Sequence, residues 1–391
     1  MVALGFADRL HVADGGPDGN LATFEVSVDD DPADPVPAGV ASPDGRNGAA
    51  AVARASDEEA AALQVRAMRP DDAAGLVRCV YRCYGYSYLD PLLYRTRQVR
   101  RALHSGSMRS VVAVDREGEV VGHSALTFDR PGDPVPEAGK LVVDPRYRGH
   151  HVAERLAAVR RGRAEADGLV GYWSECVTNH PFSQREVIGT GGAETGLLIG
   201  AVPASLTMQG LANHEGRHTL LTMYVPIRRG AARVHVPERH ARVLGSMAAA
   251  VGLDREVVVD EPSIGGETAL AVEVAVDAGT AHLRVRRPGS DLLDRVADEL
   301  GALQHFELGA VHLDLPLGDP ATGAAASELE RLGFCWGAWV PCFTRDGGDV
   351  LRLQRTGDRA VDVDGVACAR PEGEAVRDHV VAEWHRVHHA R

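Results

Sequence analysis

Apolar and polar positions follow regular patterns only from about residue 63 onward. Runs in which apolar residues alternate with polar ones predict β-strands, and apolar residues spaced three or four positions apart predict helices. Over residues 63–228 these patterns give the element order β-α-α-β-β-β-α-β-α-β-β. Residues 232–391 carry further helix and strand patterns in a less regular order and end in a tail helix. Both halves therefore predict mixed α/β folds.

The first 62 residues differ from the rest in composition. They are rich in Asp, Pro, Ala and Gly and poor in large apolar residues, which is typical of a flexible segment. Within them LATFEVSV (21–28) alternates and predicts one strand, which could join a sheet elsewhere. We therefore expect a flexible N-terminal segment (1–62), a first domain (63–230) and a second domain (231–391).

The two halves contain a weakly similar sequence pattern. Each contains a turn with proline, a helix, a glycine and an aliphatic strand that ends in Val-Pro. The spacing from Pro181 to Pro203 is 22 residues, and the spacing from Pro320 to Pro341 is 21. This similarity predicts that part of one domain was duplicated to form part of the other, although two such patterns could also coincide by chance.

Length and charge limit the classes of function. A chain of 391 residues is long enough for two folded units. Its net charge of −13 argues against a nucleic-acid partner, because binding a polyphosphate needs a basic face, and it mildly favours cationic amines. Six cysteines without CxxC spacing predict reduced thiols in the cytoplasm. With no signal-peptide pattern and no apolar run of spanning length, we expect no membrane partner.

One loop has the layout of a phosphate site. An apolar strand ends at Asp144 and Pro145, the chain turns through RYRG, and a helix pattern follows. A helix start has unpaired N–H groups and the positive end of the helix dipole, and both attract phosphate oxygens. Gly149 lets the backbone approach an anion closely, and Arg148 can add charge-assisted hydrogen bonds. The loop therefore predicts a pyrophosphate site.

This turn, in this element order, resembles the Gcn5-related N-acetyltransferase (GNAT) superfamily. The family motif Arg/Gln-x-x-Gly-x-Gly/Ala holds the pyrophosphate of acetyl-CoA, and His151 replaces its central glycine here. The segments CVYRCYGYSY, VVGHSAL, CVTNHPFSQ and TGLLIGAVPASL are similar to a bacterial subgroup that is sometimes fused to an anti-sigma-type ATPase domain, which this sequence does not show. The motif positions are Arg148, Gly149, His150, His151, Val152 and Ala153.

The resemblance implies an α/β fold of two related parts. The first domain takes the mixed-sheet GNAT fold of an acyl-CoA N-acyltransferase, and the second is a degenerate GNAT-like α/β domain. The second half has no Arg-Gly loop, so only the first domain is expected to bind CoA.

The resemblance also implies the reaction. Acetyl-CoA is the co-substrate, no metal takes part, and a small-molecule amine attacks the thioester directly in a ternary complex. Backbone groups of Leu141, Val142 and Val143 align the pantetheine arm. Glu137 matches the frequent catalytic glutamate of the family, although a solvated edge glutamate is an equal alternative.

The other side of the predicted cleft is less regular. The helix after the next strand often carries a tyrosine acid in this family, and NHPFSQREVIG has none. Ser183 is left as a substitute donor and His180 as a substitute acid. Asn179 fits either a CoA contact or a turn.

Aromatic residues mark the expected acceptor side. Tyr84, Tyr86 and Tyr88, together with Tyr94, could wall an amine site or simply pack in the core. His123 could face the cleft or be a buried strand histidine. The tail histidines have metal-like spacing but no evident carboxylate or cysteine partner, so they predict a solvated helix end: His379, His385, His388 and His389.

Two other functions stay open at this point. The chain could be a non-catalytic acyl-CoA-binding sensor or partner protein, which His151 and the missing tyrosine would favour. It could instead use another acyl-CoA, or a protein lysine as acceptor. The second domain would shape the acceptor pocket or a homodimer interface.

Overall fold

A computed structural model describes residues 10–11, 53–129, 132–206, 216–259, 262, 264–357, 361, 363 and 365–389. The strand predicted at 21–28 lies outside these residues. Within the described part of the chain, no helix is long and apolar enough to cross a membrane.

The first half has the predicted order of elements. Short 3-10 turns precede α2 and α3, at Pro70–Asp72 and Pro91–Tyr94. The elements are β1 Leu10–His11, α1 Asp57–Ala61, β2 Gln64–Ala67, α2 Ala73–Tyr84, α3 Thr96–Ser105, β3 Met108–Val114, β4 Val120–Thr127, β5 Glu137–Val143, α4 Val152–Ala166, β6 Gly171–Val177, α5 Phe182–Gly189, β7 Ala193–Val202 and β8 His218–Pro226.

The second half contains every element that its patterns predicted, and two more. The additional strands, β9 and β10, form a separate parallel pair. The elements are β9 Ala231–His235, α6 Glu238–Val251, β10 Asp254–Val258, β11 Ala269–Ala275, β12 Thr280–Arg287, α7 Leu292–Leu303, β13 Ala310–Pro316, α8 Thr322–Leu329, β14 Cys335–Val340, β15 Val350–Thr356 and α9 Pro371–His389.

A single sheet of 13 strands runs through both halves in the order β1-β11-β12-β13-β15-β14-β7-β8-β6-β5-β4-β3-β2. The stretch β4-β5-β6-β8-β7 is joined by one antiparallel, one parallel and two antiparallel pairings. The stretch β11-β12-β13-β15-β14 repeats the same order and the same directions. The topology of five strands is therefore present twice.

The two stretches meet in the middle of the sheet, where β7 pairs with β14 at Gly196 and Ala338. A Cβ atom at Gly196 would lie 2.3 Å from the Ala338 Cα atom, so only glycine permits this approach. Gln354 stabilises the junction between β7 and β14. Its side-chain amide accepts a hydrogen bond from Ile199 N–H at 2.7 Å and donates to the Leu197 and Trp336 carbonyls at 3.0 Å each. The halves are thus one continuous structure.

Helices cover both faces of the first half. Leu76 of α2 packs with Val112 and Val142 on one face, and Leu156 of α4 packs with Val121 on the other. The strands are apolar on both sides, as expected for a sheet buried between helices. This arrangement places the ends of β5 and β6 between the two helical layers.

Helix α1 lies in the segment that was predicted to be flexible, and for these residues the prediction is wrong. Ser56 and Glu59 form a capping box, with Glu59 N–H donating to Ser56 Oγ at 3.2 Å and Ser56 N–H donating to Glu59 Oε2 at 2.7 Å. Arg155 of α4 donates to the carbonyls of Ala60 and Leu63 at 2.7 and 2.5 Å. The first folded unit therefore begins before residue 63.

Candidate functional site

The strands β5 and β6 form an open cleft. They share a single register pair, Glu137 with Trp173, and diverge beyond it. Ser174 Oγ closes the base of the cleft by donating to the Ala138 carbonyl at 2.9 Å. The edge of β5 beyond that point is open to a ligand that can pair with main-chain groups. The predicted residues Leu141, Val142 and Val143 lie on this open part of β5.

The equivalent place in the second half is closed. Strands β12 and β13 stay paired over five positions, from Thr280 with Ala310 to Arg284 with Asp314. Their main-chain groups are used within the sheet. A cleft of the kind seen between β5 and β6 is therefore present once among the repeated strands.

A bulge interrupts β5 at the cleft. Lys140 has a φ of 53°, and the pairing with β4 shifts register between His123 and Ala125. His123 supports the bulge, because its Nδ1 lies 2.8 Å from the Lys140 carbonyl and its Nε2 lies 2.9 Å from Ser110 Oγ. A carbonyl only accepts, so Nδ1 carries the proton and Nε2 accepts from the hydroxyl.

The structure contradicts the prediction that His123 faces an acceptor. The side chain is fully buried, and both ring nitrogens are used inside the protein. Burial lowers its pKa to about 4, so the ring is neutral at pH 7. His123 acts as a structural support beneath the cleft.

The loop that follows β5 is held by a buried carboxylate. Asp144 is 1% exposed and accepts hydrogen bonds from Arg82 Nε at 2.5 Å and from Arg146 Nε at 3.0 Å. Arg146 also pairs with Glu119 at 2.9 Å. Arg148 takes a different direction, with its Nε donating to the Val143 carbonyl at 3.3 Å. Arg82 and Arg146 thus fix the loop, and Arg148 lies at the mouth of the cleft.

His151 keeps the backbone conformation that a glycine would favour. Its φ and ψ are 56° and 28°, in the left-handed region, immediately before α4. Its ring is 81% exposed and lies 3.1 Å from Glu154 Oε1, away from the protein interior. The first hydrogen bond of the helix runs from Arg155 N–H to the His151 carbonyl at 3.2 Å. The N–H groups of residues 152–154 lie before this bond, at the helix start, where main-chain donors have no partner within the helix. The histidine therefore preserves the turn.

This backbone conformation leads to a stability prediction. A β-branched residue is disfavoured in the left-handed region, so His151→Val should lower the free energy of unfolding by about 1–2 kcal/mol. His151→Gly should be neutral or slightly stabilising, since relief of strain offsets the added freedom of the unfolded chain. Urea denaturation of both variants, with Glu154→Gln as the control for the lost ion pair, measures the difference. Equal stability of the valine and glycine variants would contradict the role of the backbone.

The loop between β6 and α5 presents polar atoms without partners. Asn179 Oδ1 and His180 Nε2 are shielded from solvent and make no hydrogen bond with the described residues. Ser183 Oγ, in the first turn of α5, is also shielded from solvent and lies close to the Cys176 thiol. His180 Nδ1 accepts from Phe182 N–H at 3.3 Å, so the proton of the neutral ring is on Nε2. Burial lowers the pKa of His180, and the nearby charge of Arg148 lowers it further. This loop therefore faces the mouth of the cleft across from Arg148.

Two carboxylates share one face of the sheet at the base of the cleft. Glu137 pairs with Trp173, and Glu175 lies two residues further along β6, so their side chains project on the same side. Burial raises the pKa of Glu175 to about 7, and repulsion from Glu137 adds to the effect. Burial also raises the pKa of Tyr88, together with the charges of Asp90 and Glu137. Glu137 thus lies close to both Tyr88 and Glu175.

Sequence reasoning missed Glu175. The signal available was a single acidic residue inside the otherwise uncharged strand GYWSECV. A half-buried carboxyl group whose pKa lies near 7 can accept and release a proton at neutral pH, as a general base must.

The second half supplies a cation to this group. Arg352 of β15 is 3% exposed, and its Nη1 lies 3.7 Å from Glu175 Oε1. Its Nε and Nη2 bind both oxygens of Asp314 at 2.9 and 3.1 Å. The guanidinium also lies 5.4 Å from the ring centres of Trp173 and Phe343. One arginine therefore connects the carboxylates of the two halves.

Comparison with known families decides the assignment of the first half. Residues 74–185 match the sequence model described as the acetyltransferase (GNAT) family. The first half carries a GNAT acetyltransferase domain. The match covers 112 of the 391 residues and indicates an N-acetyltransferase enzyme. No curated protein matches the chain.

Solved structures with similarity to the chain align over less than half of it. A phosphinothricin acetyltransferase from Sinorhizobium meliloti in complex with AcCoA is 18% identical, with 42% of this chain and 88% of that chain covered and a TM-score of 0.34. A putative acetyltransferase from Salmonella typhimurium with acetyl-CoA is 16% identical, with 44% and 96% covered and a TM-score of 0.35. A GCN5-related N-acetyltransferase from Kribbella flavida is 24% identical, with 42% and 98% covered and a TM-score of 0.32.

The predicted tyrosines occupy three different environments in the GNAT domain. Tyr84 is 7% exposed and packs in the core, with its ring 4.8 Å from that of Tyr88. Tyr86 is 55% exposed and packs against Tyr94 at 5.3 Å. Tyr88 lies close to Glu137, on a loop that an ion pair between Asp90 and Lys140 holds in place. Burial in the core argues against a role for Tyr84 in acceptor binding.

Two of the tail histidines, His379 and His388, contact other parts of the protein, which corrects the prediction of a solvated helix end for these two residues. His379 Nε2 lies 3.2 Å from His240 Nδ1, and His388 Nε2 lies 3.1 Å from Thr356 Oγ1. The helix α9 packs on β7 and β14, outside the GNAT cleft. The pattern of histidines in the tail therefore reflects packing.

Proposed function

We propose that the chain transfers an acetyl group from acetyl-CoA to a small-molecule amine, by direct attack within a ternary complex. The observation that carries the proposal is the open cleft between β5 and β6, with a helix start at one end and a pair of carboxylates at the other. The matched acetyltransferase family supports the choice of co-substrate.

The residues around the cleft fit acetyl-CoA. The pyrophosphate would lie on the N–H groups at the start of α4, next to Arg148 and Gly149. His150 contributes backbone only, since its Nδ1 lies 3.1 Å from Asp57 Oδ1. Val152 and Ala153 begin the helix. The pantetheine arm would pair with the open edge of β5, and the buried polar atoms of Asn179, His180 and Ser183 would gain partners on the other side.

Proton removal falls to the carboxylate pair. The neutral amine nitrogen attacks the thioester carbon, the C–N bond forms, the C–S bond breaks, and one nitrogen proton passes to the departing thiolate. Another proton must leave the ammonium group beforehand to make the nitrogen neutral. We assign that proton to Glu175, whose pKa of about 7 lets it accept and release a proton near neutral pH. Glu137, predicted as the base, raises the pKa of Glu175 and orients the ammonium group before reaction. Under this proposal Glu137, which the sequence predicted as the base, assists the base Glu175.

The role of His180 changes from acid to hydrogen-bond donor. Its pKa is below the ordinary value, so the ring is neutral at pH 7 and donates a hydrogen bond from Nε2–H without losing the proton. Together with Ser183 Oγ it would stabilise the charge that develops on the thioester oxygen or the departing sulfur.

We further propose that the second half is a degenerate GNAT-like domain. The repeated strand order and the repeated strand directions support a common origin. The continuous pairing of β12 with β13 explains why it would not bind CoA in the same way. Its contribution would be Arg352 and a wall of the acceptor site.

Titration calorimetry with acetyl-CoA tests the proposal. We expect one binding site per chain, and a loss of about tenfold in affinity for Arg148→Gln, which removes one charge-assisted phosphate contact. Arg163→Gln on the exposed side of α4 is the matched control, because it removes the same charge outside the cleft. Release of free thiol in the presence of butylamine then reports transfer. No binding at millimolar acetyl-CoA would overturn the proposal, and two sites per chain would overturn the degenerate second half.

A further inference from the structure

A cavity of about 930 Å³ lies between the two halves. Glu137 and Trp173 form its wall on the side of the GNAT domain. Strands β11, β12 and β13 and the loop between β14 and β15 form the opposite wall. The volume is in the range of pockets for small molecules. One carboxylate of the proposed active site is therefore also part of the cavity wall.

The cavity carries an excess of negative charge. Among the described residues, eight carboxylates line it against three arginines. Two further arginines stand behind the wall, where Arg352 binds Asp314 at 2.9 Å and Arg255 binds Asp349 at 2.6 Å. Burial lowers the pKa of His282, so it adds no charge at pH 7. The carboxylates thus outnumber the guanidinium groups by three.

A second feature of the wall also suggests a ligand. Thr127 Oγ1 lies on the cavity side of β4 and is shielded from solvent, and it has no hydrogen-bond partner among the described residues. Buried hydroxyls are normally paired, so this atom can accept from or donate to a bound molecule. The rings of Trp173 and Phe343 meet edge to face at 5.8 Å beside it and form an apolar part of the wall.

The carboxylates lie on two opposite walls of the cavity, one next to the cleft and one far from it. Glu137 is at the base of the cleft, whereas Glu273 of β11 and Asp319 after β13 belong to the far wall. Glu273 lies 3.4 Å from Arg284, a guanidinium that is also 3.5 Å from Asp129 and is therefore shared. Asp319 Oδ1 accepts from Ala321 N–H at 2.9 Å and keeps its second oxygen for another donor. A cationic group on the far wall would meet both side chains.

We infer that this cavity is the acceptor site, and that its acceptor is a dibasic amine. One amino group would reach Glu137 and Glu175, and a second cationic group would bind the carboxylates of the far wall. This inference rests on the proposed acetyl transfer and adds the chemical class of the acceptor. The charge of the second half then selects the substrate of the first.

A matched pair of acceptors tests the inference. In the wild-type chain kcat/KM for 1,4-diaminobutane should exceed kcat/KM for butylamine by about tenfold or more, because only the diamine carries the second charge. In the double variant Glu273→Gln with Asp319→Asn the ratio should fall towards one, because kcat/KM falls more for the diamine, whose second charge these carboxylates bind, than for butylamine. The control Glu117→Gln with Glu256→Gln removes two exposed carboxylates outside the cavity and should keep the wild-type ratio.

Binding in the absence of reaction separates this inference from the proposed function. Titration calorimetry of 1,4-diaminobutane into the complex with CoA should show binding that weakens in the double variant and at high salt. Equal kcat/KM for the two amines, or an equal loss for both in the double variant, would overturn the dibasic acceptor and leave acetyl transfer standing. Binding of the diamine with the expected charge dependence but without any acetyl transfer would overturn the proposed function and retain the cavity as a site for dibasic amines.

Discussion

Glu175→Gln lowers kcat/KM for acetyl transfer by about 10²–10⁴-fold, the range expected for loss of a general base. Affinity for acetyl-CoA stays within about twofold, because Glu175 lies at the carboxylate end of the cleft and the phosphate loop at the other. Initial rates of thiol release and calorimetric titration of acetyl-CoA measure the two quantities. Glu165→Gln on α4 is the control, since it makes the same exchange at an exposed position.

The dependence on pH distinguishes the base from its neighbour. Below a pH of about 7 Glu175 is protonated and cannot accept another proton. The slope of log(kcat/KM) plotted against pH should therefore be one unit steeper below this pH than above it. In Glu137→Gln the repulsion between the carboxylates is gone, so the bend moves to lower pH. If Glu137→Gln removes the bend and Glu175→Gln keeps it, the assignment of the base is reversed.

Arg352→Met destabilises the fold by about 3–5 kcal/mol, because it leaves Asp314 buried without its main counter-charge. Asp314 is 4% exposed, and the charge of Arg352 keeps its carboxyl pKa far below the ordinary range despite the opposing effect of burial. The same change raises the pKa of Glu175, so the bend in the pH profile moves upward. Denaturation with urea and the pH profile measure both effects.

A second variant keeps this prediction testable if the first does not fold. Asp314→Asn combined with Arg352→Met removes the stranded charge and should recover a large part of the lost stability. Arg345→Met, at an exposed arginine of the cavity mouth, is the matched control and should cost less than about 1 kcal/mol. A double variant no more stable than Arg352→Met alone would show that the ion pair is not the source of the stability.

The element order could be predicted because it depends on local periodicity. Strands such as β3 and β4, and helices such as α4, have their apolar residues at the expected spacing. Strands β9 and β10 were missed because they are short and carry charged residues on exposed positions. Helix α1 was missed because its capping box lies in a segment whose overall composition is typical of disorder.

The candidate site was predicted in part, and the missing part depends on contacts between distant strands. Glu137 and the loop at 148–153 follow from a local motif. Glu175 becomes a base only because Glu137 and Arg352 surround it, and Arg352 comes from a strand more than 170 residues away in the sequence. His123 was placed in the cleft because a strand pattern does not show which buried atoms its ring will meet.

The closed pairing of β12 with β13 has a consequence for regulation. A chain with two equivalent clefts in one rigid sheet could bind two molecules of co-substrate and let the first change the affinity for the second. Among the strands that the structure describes, one such cleft is open, so these strands offer no second site to which it could be coupled. Saturation by acetyl-CoA should then be hyperbolic, with a Hill coefficient of about one. Any cooperativity within one chain would have to arise from binding of the amine.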